Sequence, residues 1–487
     1  MTVKSKHKEY TNMQSRWEAC RAAAAGEEKV HDLGERFLPR LEQEGNQEYY
    51  KRVTMTPFFN ATWRTIAGLR GMLFRKPPTH TLSPTMLTLA ENIDLAGTEL
   101  NGLAQKVTEE ALMVGRVGLL VDYPVTSPNA TLADARLAGA RPMIKLYAAE
   151  VIYNWKEEVA NGVRTLTQVR LEEEVELPGA DEFEVKCEPR YRVLDLYEGR
   201  YRQRLFKVEG DKDVQVGEDV FPVMKNAPMT FIPFVFIGVD CVGPKVEDPP
   251  LIDLVTTNLH HYFQSSSYER GCWFSGLPTM FISGSSDDDG DVMIGGSVAN
   301  LLGNPNAKAY YVEVASNFEA LRTNLEDKKR EMAVLGARML EGARASRGNP
   351  EAAETVARRQ SGEEAVLSGM ATTLSQGLTR ALQWVAEWAG VPDPKLTYEV
   401  NRDFMPMTMT AQDLTALVSS WQNGAISHET LFDKLKAGEV IGEDTTFEIE
   451  QERINSAQLN LAAQQAAADA QAALDFQAKA AALTQGA

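Results

Sequence analysis

The chain has 487 residues, 44% of them hydrophobic and 24% charged, with a formal net charge of −18. That length supports roughly two to four domains with ample core, and no apolar run reaches the ~18 residues that a bilayer-spanning helix needs. The acidic balance argues against a protein that reads nucleic-acid sequence, which should show a basic face; it is compatible with a surface past which DNA slides, because acid repels phosphate. The opening MTVKSKHKEYTNMQSRW has no apolar core segment, so no signal peptide is expected. Cys20, Cys187, Cys241 and Cys272 are far apart and form no CxxC pair. A reduced compartment, without a disulfide framework or a zinc site, is the simple expectation.

The first 54 residues read as helical. In TPFFNATWRTIAGLRGMLFRKPP, Thr56 is placed as N-cap with Pro57 at the first helical position, and Pro77-Pro78 stop the helix. Phe59, Trp63, Ile66 and Leu73 fall roughly on one face. A second helix, TELNGLAQKVTEEALMVGR, starts from Thr98 and puts Leu100, Leu103, Val107, Ala111 and Val114 on one stripe. The pattern then changes to strands: GLLVDYP, RPMIKLY, VRTLTQVRLEEEVEL, YRVLDLYEGRYRQRLFKV with a hairpin turn at Glu198-Gly199, and FIPFVFIG. Residues 55–245 therefore read as one α+β domain.

A helix follows over Pro250–Phe274, with Leu251, Val255, Leu259 and Tyr262 on one face. About forty short, Gly-rich, strand-like residues separate it from a second helix. That helix repeats apolar positions at Phe318, Leu321, Leu325, Met332, Leu335 and Met339, a single narrow seam. Next come eight residues, GARASRGN, with Arg344 and Arg347 and no acid. Gly342, Gly348, Asn349 and the following Pro350 suit a loop. The helix after it sets Leu367, Met370, Leu374, Leu378, Leu382 and Val385 on one side and ends at Gly390 and Pro392. KLTYEVNRDFM is strand-like, AQDLTALVSSWQNGAISHETLFDKLKAG reads as helix–turn–helix, and the last 38 residues are an Ala- and Gln-rich tail of helix formers with few large apolar residues. Such a tail is either frayed or paired with other copies of itself.

Chemistry-bearing motifs are missing. Neither phosphate-cradling glycine motif occurs. GGSVA at Gly295–Ala299 is one residue short of a nucleophile elbow. His260 and His261 are adjacent, so on a helix they diverge by about 100° and do not chelate one metal; one should lie at the core edge and one in solvent. His428-Glu429 lacks a second histidine. SSDDDGD at Ser285–Asp291 resembles a calcium loop but has Gly296 where the closing Glu belongs, and reads better as a solvated hairpin tip open to a docking partner. No catalysis and no cofactor are expected.

The order α+β domain, helix, small β insert, helix, loop, long helix and helical C-terminus resembles the portal proteins of tailed bacteriophages. Local phrases, namely FFNATWRTIAGLRGMLFRKPP, EEALMVGRVGLLVDYP, AAEVIYNW, and MAVLGARMLEGARA followed by ETVARRQSGEEAVLSGMATTL, are similar to a portal-like family carried as a domain of unknown function. The resemblance covers roughly residues 45–440. It implies an α+β, mainly helical fold of wing, stem, clip and crown that assembles as a ring. The wing would be residues 55–248 after an N-terminal helical segment at 1–54. The first stem helix would be 249–275, the clip 276–316 and the second stem helix 317–341. The tunnel loop would be 342–350, the long channel helix and return strand 351–407, and the crown with its tail 408–487.

The resemblance further implies a ring, a dodecamer in the family, at the capsid vertex of the virion, assembled in the host cytoplasm. Double-stranded DNA would be packaged and ejected through it without base reading. The partners would be the large terminase, a head-completion adaptor, and the major capsid or scaffold protein, with no membrane. Arg344, Ser346, Arg347 and Asn349 would face DNA, where a ring of weak Arg–phosphate contacts grips and releases. The alternative for Arg344 and Arg347 is ion pairing to Glu341 or Glu351 of neighbouring subunits. Leu321, Leu325, Met332, Leu335 and Met339 would bury the stem seam against the next subunit, and Asp287, Asp288, Asp289 and Asp291 would form a clip docking surface. Two competing readings are another minor capsid or tail-connector protein, and a host-directed enzyme with an unfamiliar site.

Overall fold

The computed structural model describes residues 2–124, 140–160, 162–178, 181, 183–225, 227–276, 279–283, 306, 308–312, 318–337, 350–402, 404, 411–438, 440–442, 445–456 and 464–465. Two units are distinct, Met1–Phe404 and Met405–Ala487. The fold is α+β.

The first unit opens with helices α1 (Lys8–Ala25), α2 (Glu27–Asp32), α3 (Asn46–Met55) and α4 (Ala61–Leu73). The expected cap at Thr56 is corrected here. Thr56 closes α3 instead, its hydroxyl donating to the Arg52 carbonyl at 2.6 Å, and Asn60 starts α4 by accepting the Trp63 amide at 2.9 Å. Asn side chains cap as well as Thr, and this one lies next to the first helical residue. The buried side of α4 is Ile66, Leu69 and Leu73, whereas Phe59 and Trp63 are more than a third exposed. Strand β1 (Thr79–Thr81) and α5 (Pro84–Ala90) lead to α6 (Leu100–Val114). The α6 stripe Leu100, Leu103, Val107, Ala111 and Val114 is fully covered. Its N-cap is Glu99, not Thr98. The Thr98 amide is drawn instead into the preceding turn by Asp94.

Strand β2 (Arg116–Asp122) is buried at each of its seven residues. It is the middle of a three-stranded antiparallel sheet with β3 (Met143–Ala148) on one side and, far along the chain, β11 (Phe234–Gly238) on the other. Side chains alternate across a strand. Val117, Leu119 and Val121 therefore enter one core, with α4, α6 and the long helix described below, while Leu120 enters a second core with Phe234, Phe236 and Tyr147. Gly118 lets the rings of the second core close down: a Cβ there would lie 2.3 Å from the Phe234 ring and 2.9 Å from Ile152.

A five-stranded meander supplies the far wall of the second core. Its strands are β4 (Ile152–Ala160), β5 (Val163–Pro178), β6 (Val185–Tyr197), β7 (Arg200–Glu209) and β8 (Lys212–Val220), paired in chain order. The β6–β7 turn is Glu198-Gly199, both with positive φ (51° and 74°), as a tight twisted hairpin requires. Short strands β9 (Val223–Met224) and β10 (Ala227–Pro228) precede β11. One clamp joins the two sheets. Glu173 of β5 accepts from Arg192 of β6 (2.9 and 3.0 Å), from Lys145 of β3 (2.9 Å) and from the Tyr147 hydroxyl. Burial alone would raise the Glu173 pKa, but the bond and charge of Arg192 and the charge of Lys145 outweigh it and hold it at about 2.

Helices α7 (Ile252–Gly276) and α8 (Glu319–Ala337), strands β12 (Thr279–Ser283) and β13 (Lys308–Val312), and helix α9 (Pro350–Trp388) complete the architecture, with β14 (Thr397–Glu399) pairing back onto β1. Along α9, Leu367, Met370, Leu374, Leu378, Leu382 and Val385 are all buried. Gly377 permits the helix to lie on the sheet, since a Cβ would meet Ile237 at 2.5 Å. Ser375 and Thr379 accept the amides of Val400 and Tyr398 (2.9 and 3.0 Å), which fixes the return strand on the helix. Helix α9 ends as expected at Gly390, which has φ 77°.

In the second unit, α10 (Ala411–Gln422) packs on α11 (His428–Ala437). Ser427 caps α11 by accepting the Thr430 amide, and Trp421, His428, Phe447 and Phe432 form a chain of ring contacts. Of the Ala- and Gln-rich tail, residues 450–456 and 464–465 are described, and they are helical.

Gly118→Ala should lower stability by about 1–3 kcal/mol through overpacking. Gly71→Ala, which meets open space in α4, should be neutral or slightly stabilising; urea midpoints of the two variants compare them. The Glu173 carboxylate, with its pKa depressed below the unfolded value near 4.3, contributes stability that is fully present above that pH. The contribution is lost as pH falls towards about 2, on the order of 3 kcal/mol in all. Glu173→Gln should flatten the acid limb of the stability–pH curve, measured by urea unfolding between neutral pH and pH ~3.

Candidate functional site

An excursion from the two cores is made by α7, the strand pair and α8. Helix α7 is 25 residues, roughly 37 Å, long. Its first two-thirds are rooted in the second core: Leu254, Val255, Tyr262, Ser265 and Ser266 are buried. Asn258, wholly buried, locks the root. Its Oδ1 accepts from the Thr62 hydroxyl (3.0 Å) and amide (3.3 Å), and its Nδ2 donates to the Phe59 carbonyl (2.7 Å). Beyond Ser266 the described side chains are half-buried or exposed, and Trp273 is about half exposed at 48%.

Strands β12 and β13 pair antiparallel, Phe281 opposite Tyr310, with the two rings nearly parallel and both half exposed. Helix α8 then comes back along α7 and onto α4. Gly271 of α7 makes the close approach possible, for a Cβ there would stand 2.4 Å from the Phe318 ring. Lys329 of α8 lies over the Phe59 ring at 5.6 Å. The outer surface of α8 is charged and self-paired, Arg322 with Glu319 and Glu326, Arg330 with Asp327. Exposed pairs of this kind add little stability.

On the seam, Leu325 and Met332 are buried, at 9% and 2% exposure, and Leu321 and Leu335 are half-buried. This chain's own α4 and α7 cover them. The burial of these two residues therefore needs no neighbouring subunit, which differs from the expectation that the seam lies between subunits. Met339, the loop residues Arg344, Ser346, Arg347 and Asn349, and the acidic residues Asp287, Asp288, Asp289 and Asp291 lie outside the described residues. So do Gly295–Ala299.

His261 is buried and His260 exposed, the division expected of adjacent histidines on one helix. Burial, with Lys329 and Lys328 nearby, pushes His261 down to about 4, so it is neutral at neutral pH. Among the described residues no three His, Cys, Asp or Glu side chains come together as a metal site. No described helix is long and apolar enough to cross a membrane.

Three features had no local signal. A cavity of about 320 Å³ lies between α3 and the outer part of α7, walled by Met55, Lys51, Glu269 and Trp273. Its floor is the Glu44–Arg52 ion pair, both side chains under 10% exposed, with Arg52 also donating to the Pro39 carbonyl and the Ser266 hydroxyl. The bond from Arg52 holds the Glu44 carboxyl below its usual range. Arg116, 1% exposed, has no hydrogen-bond partner on any guanidinium nitrogen among the described residues. It lies over Trp155 at 3.8 Å and Phe236 at 4.5 Å instead. Burial pushes its pKa down to about 9, opposed by Glu9, and it is still charged at neutral pH. A guanidinium tolerates this because its faces are weakly hydrated and stack on rings.

Residues 250–389 match the profile of a family described as Domain of unknown function (DUF4055). The matched segment spans α7, the strand pair, α8 and α9. No curated protein matches the chain. Among the solved chains similar to it are three at 13% identity each. One is in the neck of an empty gene transfer agent (GTA) particle computed with C6 symmetry, over 80% of this chain and 93% of that one (TM-score 0.36). The second is in the virion of the native gene transfer agent particle, over 86% and 97% (TM-score 0.35). The third is in the neck of the native particle computed with C12 symmetry, over 81% and 94% (TM-score 0.37).

Because Met332 is covered within the chain, Met332→Asp should lower the unfolding free energy of the single chain by about 3–5 kcal/mol, through a buried unpaired charge. The check is urea unfolding at a concentration too low for assembly. An unchanged midpoint would put the seam outside the monomer's core.

Proposed function

We propose that this chain is a portal protein, the subunit of a ring at the capsid vertex through which double-stranded DNA enters and leaves. The observation that carries the reading is the excursion. A helix rooted in the core by Asn258 runs out, a strand pair lies at its end, and a second helix returns along it. Residues 338–349 then lead into a 39-residue helix seated on the central sheet. This is the stem, clip, stem and channel-helix order of the sequence resemblance. The family profile falls on these same elements.

In this reading the exposed outer parts of α7 and β12–β13 carry the clip. Its acidic residues Asp287, Asp288, Asp289 and Asp291 would meet the terminase motor and later a head-completion adaptor. Arg344 and Arg347 would stand in the channel. A chain of net charge −18 gives a wall that repels phosphate, and a ring of arginines gives contacts weak enough to release. Gly342 and Gly348 would let the loop follow the passing helix. ATP hydrolysis would belong to a separate motor.

Native mass spectrometry with negative-stain imaging of the purified chain tests the reading. The expected result is a closed ring with an axial hole; a persistent monomer or dimer across salt and protein concentration would overturn it. The double variant Arg344→Ala, Arg347→Ala should leave the ring intact and cut the yield of packaged DNA. Packaging at wild-type yield would remove the DNA role of that loop.

A further inference from the structure

One hairpin of the five-stranded sheet outgrows its neighbours. Strands β5 and β6 pair with each other from Gln168–Asp195 out to Pro178–Val185. Yet β4 covers β5 only as far as Leu171, and β7 covers β6 only from Tyr191 onward. Among the described residues, 172–178 and 185–190 are thus a two-stranded ribbon with no strand paired to either edge, an arrangement that is marginal without a partner. Its tip carries Phe183, 86% exposed, with Val185 at 61%. Asp181 fixes the turn by accepting the amides of Phe183 and Glu184 (2.9 Å each). Residues 174–184 hold five carboxylates and no cation.

A surface of the opposite character lies at the other end of β5. A groove of about 430 Å³ is walled by Leu166, Phe231, Phe236 and Trp384, and carries Arg164 and Arg380. The Phe231 and Trp384 rings are 5.4 Å apart. Arg164 stands 3.9 Å from Glu157 and is three-quarters exposed, and Arg380 makes no ion pair among the described residues. The groove runs beside β11, the edge strand of the three-stranded sheet, whose outer side is bridged at Ile237 by Val242, itself a wall of the groove. The volume falls within the ~300–1,000 Å³ of ordinary binding pockets.

The tip cannot reach the groove of its own chain. Leu166 and Pro178 are twelve residues apart on one paired strand, which at ~3.3 Å per residue separates them by about 40 Å. We propose that the groove receives the β5–β6 ribbon tip of a second copy. Phe183 packs against the Phe231 and Trp384 rings, and the Glu176 and Glu184 carboxylates meet Arg164 and Arg380. Donor and acceptor surfaces differ, so the contact is head-to-tail and propagates until it closes. It rests on the ring reading, and it supplies an interface that the self-covered α7–α8 seam does not.

The test uses the full chain with Cys187→Ser, Cys241→Ser and Cys272→Ser, adding Val185→Cys at the tip, Thr165→Cys at the groove and a short bismaleimide linker, so that Phe183 and Arg380 stay in place. The expected result is a covalent ladder rising to the ring size in the double variant, and none in either single variant. Separately, Arg380→Glu should reduce ring yield about tenfold at low salt, and Glu176→Lys with Glu184→Lys should restore it. Rings without a ladder, together with a ring yield unchanged by Arg380→Glu, would overturn the ribbon contact while leaving the ring reading intact. A wild-type chain that forms no ring would overturn both.

Discussion

The architecture depends on β2 having no solvent face. A strand buried at all seven residues must be covered twice, and each cover brings a different part of the chain. One side takes α4, α6 and the buried stripe of α9; the other takes α1, the meander and the root of α7. Gly118 is the tightest point of this arrangement, because two residues of the second core occupy the volume its side chain would fill. The long helix and the helix pair are therefore referenced to one strand, although more than a hundred residues separate β2 from α7.

Charge is placed where parts of the chain meet. The Glu173 clamp bridges the two sheets, the Glu44–Arg52 pair joins the α3 region to α7, and Arg116 fills the space between Trp155 and Phe236. These groups differ in what they cost. Glu173 is over-compensated by two cations and a hydroxyl, so its ionised form is favoured. Arg116 has ring faces in place of acceptors and keeps its charge against a large desolvation penalty. Such groups penalise any misalignment of the parts they join more steeply than apolar contacts do.

Part of the apolar seam of the helix pair is covered by its own chain. With Leu325 and Met332 covered by α4 and α7, the outward surface of α8 is charged and wet. An assembly of such subunits then has to close through other surfaces. The exposed aromatic tip of the β5–β6 ribbon and the arginine-lined groove beside β11 are an unmatched pair on each chain, and they have opposite charge. Assembly and DNA handling would in that case be carried by separate regions of the molecule.

Sequence periodicity was sufficient wherever a residue's role depended on its own element. The α6 stripe, the buried face of α9, the Glu198-Gly199 turn and the division between His260 and His261 are all legible from spacing and local turn chemistry. It failed where two local signals competed, as with Thr56 and Asn60, each a good cap, of which one was already engaged by the helix before it. What only the tertiary structure decided is which surface covers which. The seam of α8 could be seen in the sequence, but not that α7 and α4 would cover it. Arg116 could not be told from a solvent-facing arginine until Trp155 and Phe236 were brought onto it, nor could the ribbon be told from an ordinary hairpin until β4 and β7 stopped short. The reason is physical: a repeat of 3.6 or 2 records which face of an element avoids water, and carries no record of the distant segment that takes the water's place.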